Sequence, residues 1–220
     1  RSEAKQIKIF EGGRQAHPTI KSNNMLSYEQ INFLAGKAHA NAVEHGFYDD
    51  VEDNHAKLEQ LEVLLAGEIG EIVDADRKGK WYIQTSMFAE SELNSILEGD
   101  TVMDFQLYYD QHIKGTVEEE LADVCIRCFD ILGFMKETVV PFSEEAMARK
   151  RDSYIYDNTW KFAHKLYELC LYLRNNPLRV VIMIELVDDF SRRCGVNLDL
   201  HIRAKMMFNE LRPYKHDRKY

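Results

Sequence analysis

Along most of this chain the large apolar side chains recur at intervals of three and four, and its four prolines, Pro18, Pro141, Pro177 and Pro213, fall between the periodic stretches. A period near 3.6 lines one face of an α-helix, and proline interrupts a helix from within. The chain is therefore predicted to be all-α, a helical bundle punctuated by its prolines. A first helix opens at Ser27, where Ser27-x-x-Gln30 has the form of a capping box, carries Ile31, Leu34, Ala35, Ala38 and Ala42 on its apolar face, and stops at Gly46. A second runs from about Lys57 to Arg77 with Leu58, Leu61, Leu65, Ile69 and Ile72 on one side. Glu68 shares nearly the face of Leu61 and Leu65, so a charge is aimed toward the bundle. Thr116-x-x-Glu119 is another capping box, opening a third helix with Leu121, Val124, Cys125, Cys128 and Leu132 inward.

Thr159 to Leu173 repeats the pattern through Phe162, Leu166, Leu169 and Leu173, and Leu178 to Cys194 does so through Val180, Ile184 and Val187 before Gly195 ends it. A last helix from about Leu198 to Leu211 brings Lys205, Asn209 and Arg212 roughly onto one side. A helix is expected over 144–151, and residues 82–113, with the aromatic group Phe105, Tyr108 and Tyr109, read as a helix plus loop. The whole is one domain over 27–220 behind an N-terminal extension, 1–26.

With 45% hydrophobic and 30% charged residues, the 220-residue composition is that of a globular protein. The longest apolar run, Val180 to Ile184, meets Glu185 far short of membrane length, so no membrane partner is expected. A net charge of −9 works against wholesale binding to nucleic acid, whose affinity rests on neutralised phosphates. Residues 203–220 nevertheless carry six Lys/Arg against two acids, which leaves room for a local anion site. Four cysteines, without a leading segment resembling a signal peptide, make a reducing, cytoplasmic setting the expectation.

Two acidic pairs at helical spacing, Glu68-x-x-Glu71 and Glu120-x-x-Asp123, carry the chemistry. Residues three apart share a helix face, so two facing helices can converge four carboxylates on one point. Such a site suits Mg²⁺ or Mn²⁺, hard cations that take oxygen ligands and, for Mg²⁺, keep positions open for water and substrate phosphates. Lys205, Asn209, Arg212 and, more weakly, Lys215 supply the donors that acidic helices lack. Together they point to metal-assisted chemistry on a phosphate ester.

These residues also match a known pattern. Leu65-Ala-Gly-Glu68-Ile-Gly-Glu71, continuing to Lys80, resembles the first acidic helix of the MazG-like family of the all-alpha nucleoside triphosphate pyrophosphohydrolase superfamily, and Glu119-Glu120-Leu-Ala-Asp123, continuing to Asp130, resembles the second. Asn41-Ala-Val-Glu-His-Gly-Phe47 looks like the exit of that family's first helix, and Lys205-Met-Met-Phe-Asn209-Glu-Leu-Arg212-Pro-Tyr-Lys215-His216 looks like its C-terminal phosphate-binding run. The resemblance implies hydrolysis of a nucleoside triphosphate, NTP or dNTP, to the monophosphate and pyrophosphate by water attack at the α-phosphorus. Glu68, Glu71, Glu120 and Asp123 would hold Mg²⁺, or one of them would orient the water, while Lys205, Asn209, Arg212 and Lys215 bind the phosphates. It also implies a homodimer or a dimer of dimers. Two departures from the short members are residues 82–113, which read as an insertion between the acidic pairs, and the helices within 137–194. Contacts to the base are open between His39, Asn41 and Phe47 on one side and Trp81 with the tyrosines of the insertion on the other.

Other readings compete. An acidic pair is most often a solvated helix face, and Asp123 can pair with Arg127 four residues on. The basic row can serve only the helix dipole. Glu185-x-x-Asp188 repeats the acidic spacing without the flanking residues of the motif, and Cys125-x-x-Cys128 matches a zinc spacing but lies inside an apolar face. A di-iron carboxylate site needs Glu-x-x-His on two helices, which Glu68 and Glu120 do not provide. The alternative from another class is a non-catalytic nucleotide-binding protein or a helical regulatory or assembly module.

Overall fold

The computed structural model describes residues 26–86, 88–99, 102–138, 158–171, 173 and 176–217. Among them the chain is all α-helical: α1 (Tyr28–Glu44), α2 (Asn54–Arg77), α3 (Ala89–Leu97), α4 (Val102–Tyr108), α5 (Val117–Met135), α6 (Thr159–Leu171), α7 (Pro177–Cys194) and α8 (Leu198–Glu210). Short 3₁₀ turns stand at Tyr82–Gln84 and Tyr214–Asp217, and α4 runs into a π-helical turn over Tyr109–Ile113. No described helix is long and apolar enough to cross a membrane. The helix expected over 144–151 and the extension as far as residue 25 lie outside the described residues.

Local signals set the helix ends. At α1 both halves of the capping box form: Gln30 N–H donates to Ser27 Oγ at 3.1 Å and Ser27 N–H to Gln30 Oε1 at 2.8 Å. α2 begins three residues before the expected Lys57, because Asp53 caps it by accepting from His55 N–H at 2.9 Å. Thr116 caps α5, but the second half of its box does not form, since the Glu119 carboxylate is used elsewhere. Gly195 closes α7 with φ +77°, a left-handed turn that costs a glycine nothing.

α5 is the hub: α1, α2, α7 and α8 pack on it, and α6 packs on α2. From Val117 to Leu132 all but Asp123, Ile126 and Arg127 are buried, as expected of a helix surrounded by others. Burying Leu58, Leu61, Leu65, Ile69 and Ile72 of α2 against this core stabilises the fold by about 1.5–3 kcal/mol per side chain. α1 comes closest at Gly133, where a Cβ would stand 2.5 Å from His39 Cβ and 2.7 Å from Ala35 O.

Residues 82–113, expected to be a helix plus loop, form α3, α4 and the π turn around a second core. Tyr82, Leu93, Phe105, Tyr109 and Ile113 pack there with Leu200 and Ala204 of α8. Two backbone donors, Tyr82 N–H and Ile83 N–H, reach the Glu118 carboxylate at 2.9 and 3.0 Å, tying this segment to the first turn of α5.

Candidate metal centre

Because α2 packs along α5, Glu68 on the first meets Glu120 and Asp123 on the second. One carboxylate oxygen from each lies within 4.8 Å of the others. Ligand oxygens at about 2.0–2.6 Å from a hard divalent cation stand roughly 3 to 5 Å apart, so the set fits such an ion. Glu71, one turn beyond Glu68, is exposed and outside this trio, though its charge reaches Glu120. The structure thus brings three of the four expected carboxylates together.

Two cations partly balance them. Arg127 Nε pairs with Glu68 Oε1 at 3.0 Å, across the helix interface rather than mainly with Asp123 on its own helix. Lys205, 7% exposed on α8, sets its Nζ 2.7 Å from Asp123 Oδ2 and 2.6 Å from Glu119 Oε1. Burial opposes the Lys205 charge, but Asp123 and Glu119 outweigh it and hold its pKa above the ordinary lysine value. Four carboxylates, of Glu68, Glu119, Glu120 and Asp123, face these two cations, leaving two formal negative charges, the charge of one divalent ion. The surplus shows in the protonation of the acids. Burial first, then Asp123, Glu119 and Glu71, push the Glu120 carboxyl well up, and burial raises Asp123 against the pull of Lys205.

The rest of the basic row divides. Asn209, one turn after Lys205, is buried, and its Oδ1 has no hydrogen-bond partner among the described residues. Arg212 lies beyond the end of α8, where its carbonyl accepts from His45 Nε2 at 3.0 Å, so it does not share the helical face expected for it. Lys215 N–H donates to His45 O at 2.8 Å and its Nζ pairs with Asp50 at 2.8 Å. That ammonium lines an open cleft of about 420 Å³ with Phe47, Lys57 and three acids, Asp50, Glu52 and Asp53, a volume ordinary for small-molecule sites.

A polar row leads from the cleft to Asp130, whose charge, like those of Glu68 and Asp123, acts on Arg127. Lys57 Nζ lies 4.5 Å from the centre of the Tyr48 ring, Tyr48 OH donates to Asp130 Oδ1 at 2.7 Å, and His39 Nδ1 is 2.9 Å from the same oxygen. Phe134 flanks Tyr48 with ring centroids 5.5 Å apart. Asp130, Arg127 and Tyr48 went unmarked in the sequence reading as site residues, yet a signal was there. Glu120, Asp123, Arg127 and Asp130 recur at three, four and three, a charged stripe along an otherwise apolar helix. Glu119 was missed for a different reason, since a glutamate at that position normally serves the cap.

Glu185 and Asp188 are buried but take other partners: Tyr28 OH donates to Glu185 at 3.2 Å, and Arg192 lies 3.3 Å from Asp188. Cys125 and Cys128 are buried free thiols, pushed up by burial, and belong to no metal-ligating group among the described residues. No protein-family model matches the chain, and no curated protein or solved structure does either.

Proposed function

We propose that this chain is a metal-dependent nucleoside triphosphate pyrophosphohydrolase, cleaving an NTP or dNTP to the monophosphate and pyrophosphate by water attack at the α-phosphorus. The observation that carries the reading is the convergence of Glu68, Glu120 and Asp123 from two helices, with more carboxylates than cations around them. Mg²⁺, or Mn²⁺, is the cation proposed for that set, with Glu71, whose charge acts on Glu120, proposed as the fourth carboxylate to serve it. A cation held by these residues would supply charge stabilisation on the phosphate oxygens and a lowered pKa for a nearby water, easing the loss of its proton.

The chain's own residues do the rest by position and charge, which is most of what phosphoryl chemistry asks of a protein. Lys205 brings a buried ammonium to the edge of the carboxylates, and Asn209 brings a carboxamide with hydrogen-bonding capacity to spare. Arg212 and Lys215 are proposed to meet the phosphates from the C-terminal side. The cleft beside Lys57 and Lys215 is the space proposed for the remainder of the nucleotide. A cytoplasmic homodimer or dimer of dimers is the proposed setting.

A second reading has an observation of its own. Arg127 and Lys205 already pair with Glu68 and Asp123, as they would in a purely structural ion cluster of a binding or assembly module. Pyrophosphate release measured over a panel of ribo- and deoxyribonucleoside triphosphates with Mg²⁺ separates the two. Release that needs the metal and yields the monophosphate is the expected result; nucleotide binding without release under all conditions would give the site to the second reading.

A further inference from the structure

Three glutamates in succession open α5, and their carboxylates go three ways. Glu118 accepts from the backbone of Tyr82 and Ile83, and Glu120 joins Glu68 and Asp123. Glu119, 3% exposed, is gripped at both oxygens: Tyr109 OH donates to Oε1 at 2.9 Å, and Gly115 N–H donates to Oε2. Its Oε1 also receives Lys205 Nζ at 2.6 Å, the same ammonium that stands 2.7 Å from Asp123 Oδ2.

An ammonium has three donors and can be shared between two carboxylates. The more firmly one of them holds it, the less it neutralises the other. Asp123 is among the three oxygens' owners assigned to the cation, so Lys205 and the cation compete for it. Glu119 is not among them, and it cannot swing away, because the Tyr109 phenol and the Gly115 amide fix its carboxylate.

We propose that Glu119 is a positioning residue that draws Lys205 off Asp123 and thereby sets how tightly the Glu68, Glu120 and Asp123 carboxylates hold a divalent cation. The inference rests on the metal-centre reading above. It gives residues 82–113 a task in the chemistry: that segment ends in the π turn that presents Tyr109 to Glu119, and a π turn is often found where a helix has been reshaped for a site. Tyr109 is held in turn by the ring of Phe208 from the same helix as Lys205, stacked at 4.2 Å.

Mn²⁺ binding to the full chain, followed by the electron paramagnetic resonance signal of the free ion, tests this without turnover. The variants are Glu119→Asp and Glu119→Gln, each alone and combined with Lys205→Met, with a melting curve for each. Glu119→Asp keeps the charge but withdraws it from Lys205, and it is expected to weaken Mn²⁺ binding about tenfold, the scale on which outer partners act on metal affinity. Lys205→Met is expected to tighten binding, and in that background Glu119→Asp should change it by less than about twofold. A general field effect would weaken binding in the Gln variant alone and equally in both backgrounds, and a merely structural role would lower the melting temperature without this coupling; either result overturns the proposal. Should Lys205→Met fail to fold, Tyr109→Phe supplies the second arm, removing the phenol's bond without changing charge. Unaltered Mn²⁺ affinity in both Tyr109→Phe and Glu119→Asp would also overturn it. Saturable binding indifferent to Glu119 sinks only this inference, whereas no saturable binding in the wild type sinks the metal centre itself.

Discussion

α5 and α7 each carry an acidic pair at the same spacing, Glu120 with the half-buried Asp123 and the buried Glu185 with Asp188, and the two pairs meet different fates. On α7 the carboxylates are met separately, Glu185 by the Tyr28 hydroxyl and Asp188 by Arg192 of its own helix. On α5 the pair is joined by Glu68 from across the interface and by Glu119 beside it, and two cations do not balance four acids. Spacing along one helix puts charges on one face; on α5 a facing helix adds a third carboxylate to the pair. Surplus negative charge at a buried point is costly until a cation or a proton relieves it, and that is the ground on which the α5 cluster, rather than the α7 pair, is proposed as a binding centre.

The sharpest way to break this contrast is turnover. Glu68→Gln and Glu120→Gln are expected to lower the rate of pyrophosphate release by more than about 100-fold, beyond the usual cost of an outer-shell partner, with helical circular dichroism retained. Glu185→Gln is expected to leave the rate of the folded protein within about twofold. Equal losses in the two helices would erase the distinction between them.

Metal linkage sharpens it next. Mg²⁺ at a hundred times its dissociation constant should stabilise the wild type by about 2.7 kcal/mol, read as a rise in melting temperature, and should do little for a Glu68→Gln/Glu71→Gln double variant. The same rise in both proteins would mark an effect of ionic strength alone.

The cations offer a third comparison. Arg127→Met removes the ion pair to Glu68, and Arg192→Met removes those to Asp188 and Asp189. Each is expected to cost on the order of 1–2 kcal/mol, less than a fully buried pair because both arginines are partly exposed. Saturating Mg²⁺ should restore most of the loss for Arg127→Met and none of it for Arg192→Met in thermal denaturation. Recovery of both variants, or of neither, would contradict the assignment of the cation to the α5 side.

The last comparison lies outside both helices. His201 of α8 is buried beside the Tyr82 ring, neither of its nitrogens has a hydrogen-bond partner among the described residues, and burial pushes its imidazole down to about 3. The folded state therefore refuses a proton that the unfolded chain takes up near pH 6.5. Its contribution to stability is whole above pH 6.5 and is lost as pH falls toward 3, by about 1.4 kcal/mol per pH unit. In denaturant melts the stability of His201→Phe relative to wild type should rise as the pH drops from about 7 to about 4; a constant difference would show that this histidine does not titrate on unfolding.

Much of the fold could be read from local chemistry. Ser27 and Gln30 form the capping box their spacing announces, and Leu58 to Ile72 bury the face their period describes. Glu68, Glu120 and Asp123 stood out by spacing and by the company of leucines, and they converge. Glu119 could not be read, because its partners Tyr109 and Lys205 come from ten residues before it and eighty-six after it. The fold of 82–113 escaped for the same reason: its apolar residues are completed by Leu200 and Ala204, far along the chain.

Helix formation depends on hydrogen bonds four residues apart and on side chains within a turn or two, so the sequence by itself determined α1, α2, α5 and the helices from Thr159 onward, most of their ends and the face each one buries. Charge pairing depends on separations of a few ångströms between groups of unrelated sequence position, and it weakens steeply as they part. Tertiary structure alone therefore decided that Arg127 answers Glu68, that Glu71 turns to solvent, and that Lys205 stands between Glu119 and Asp123.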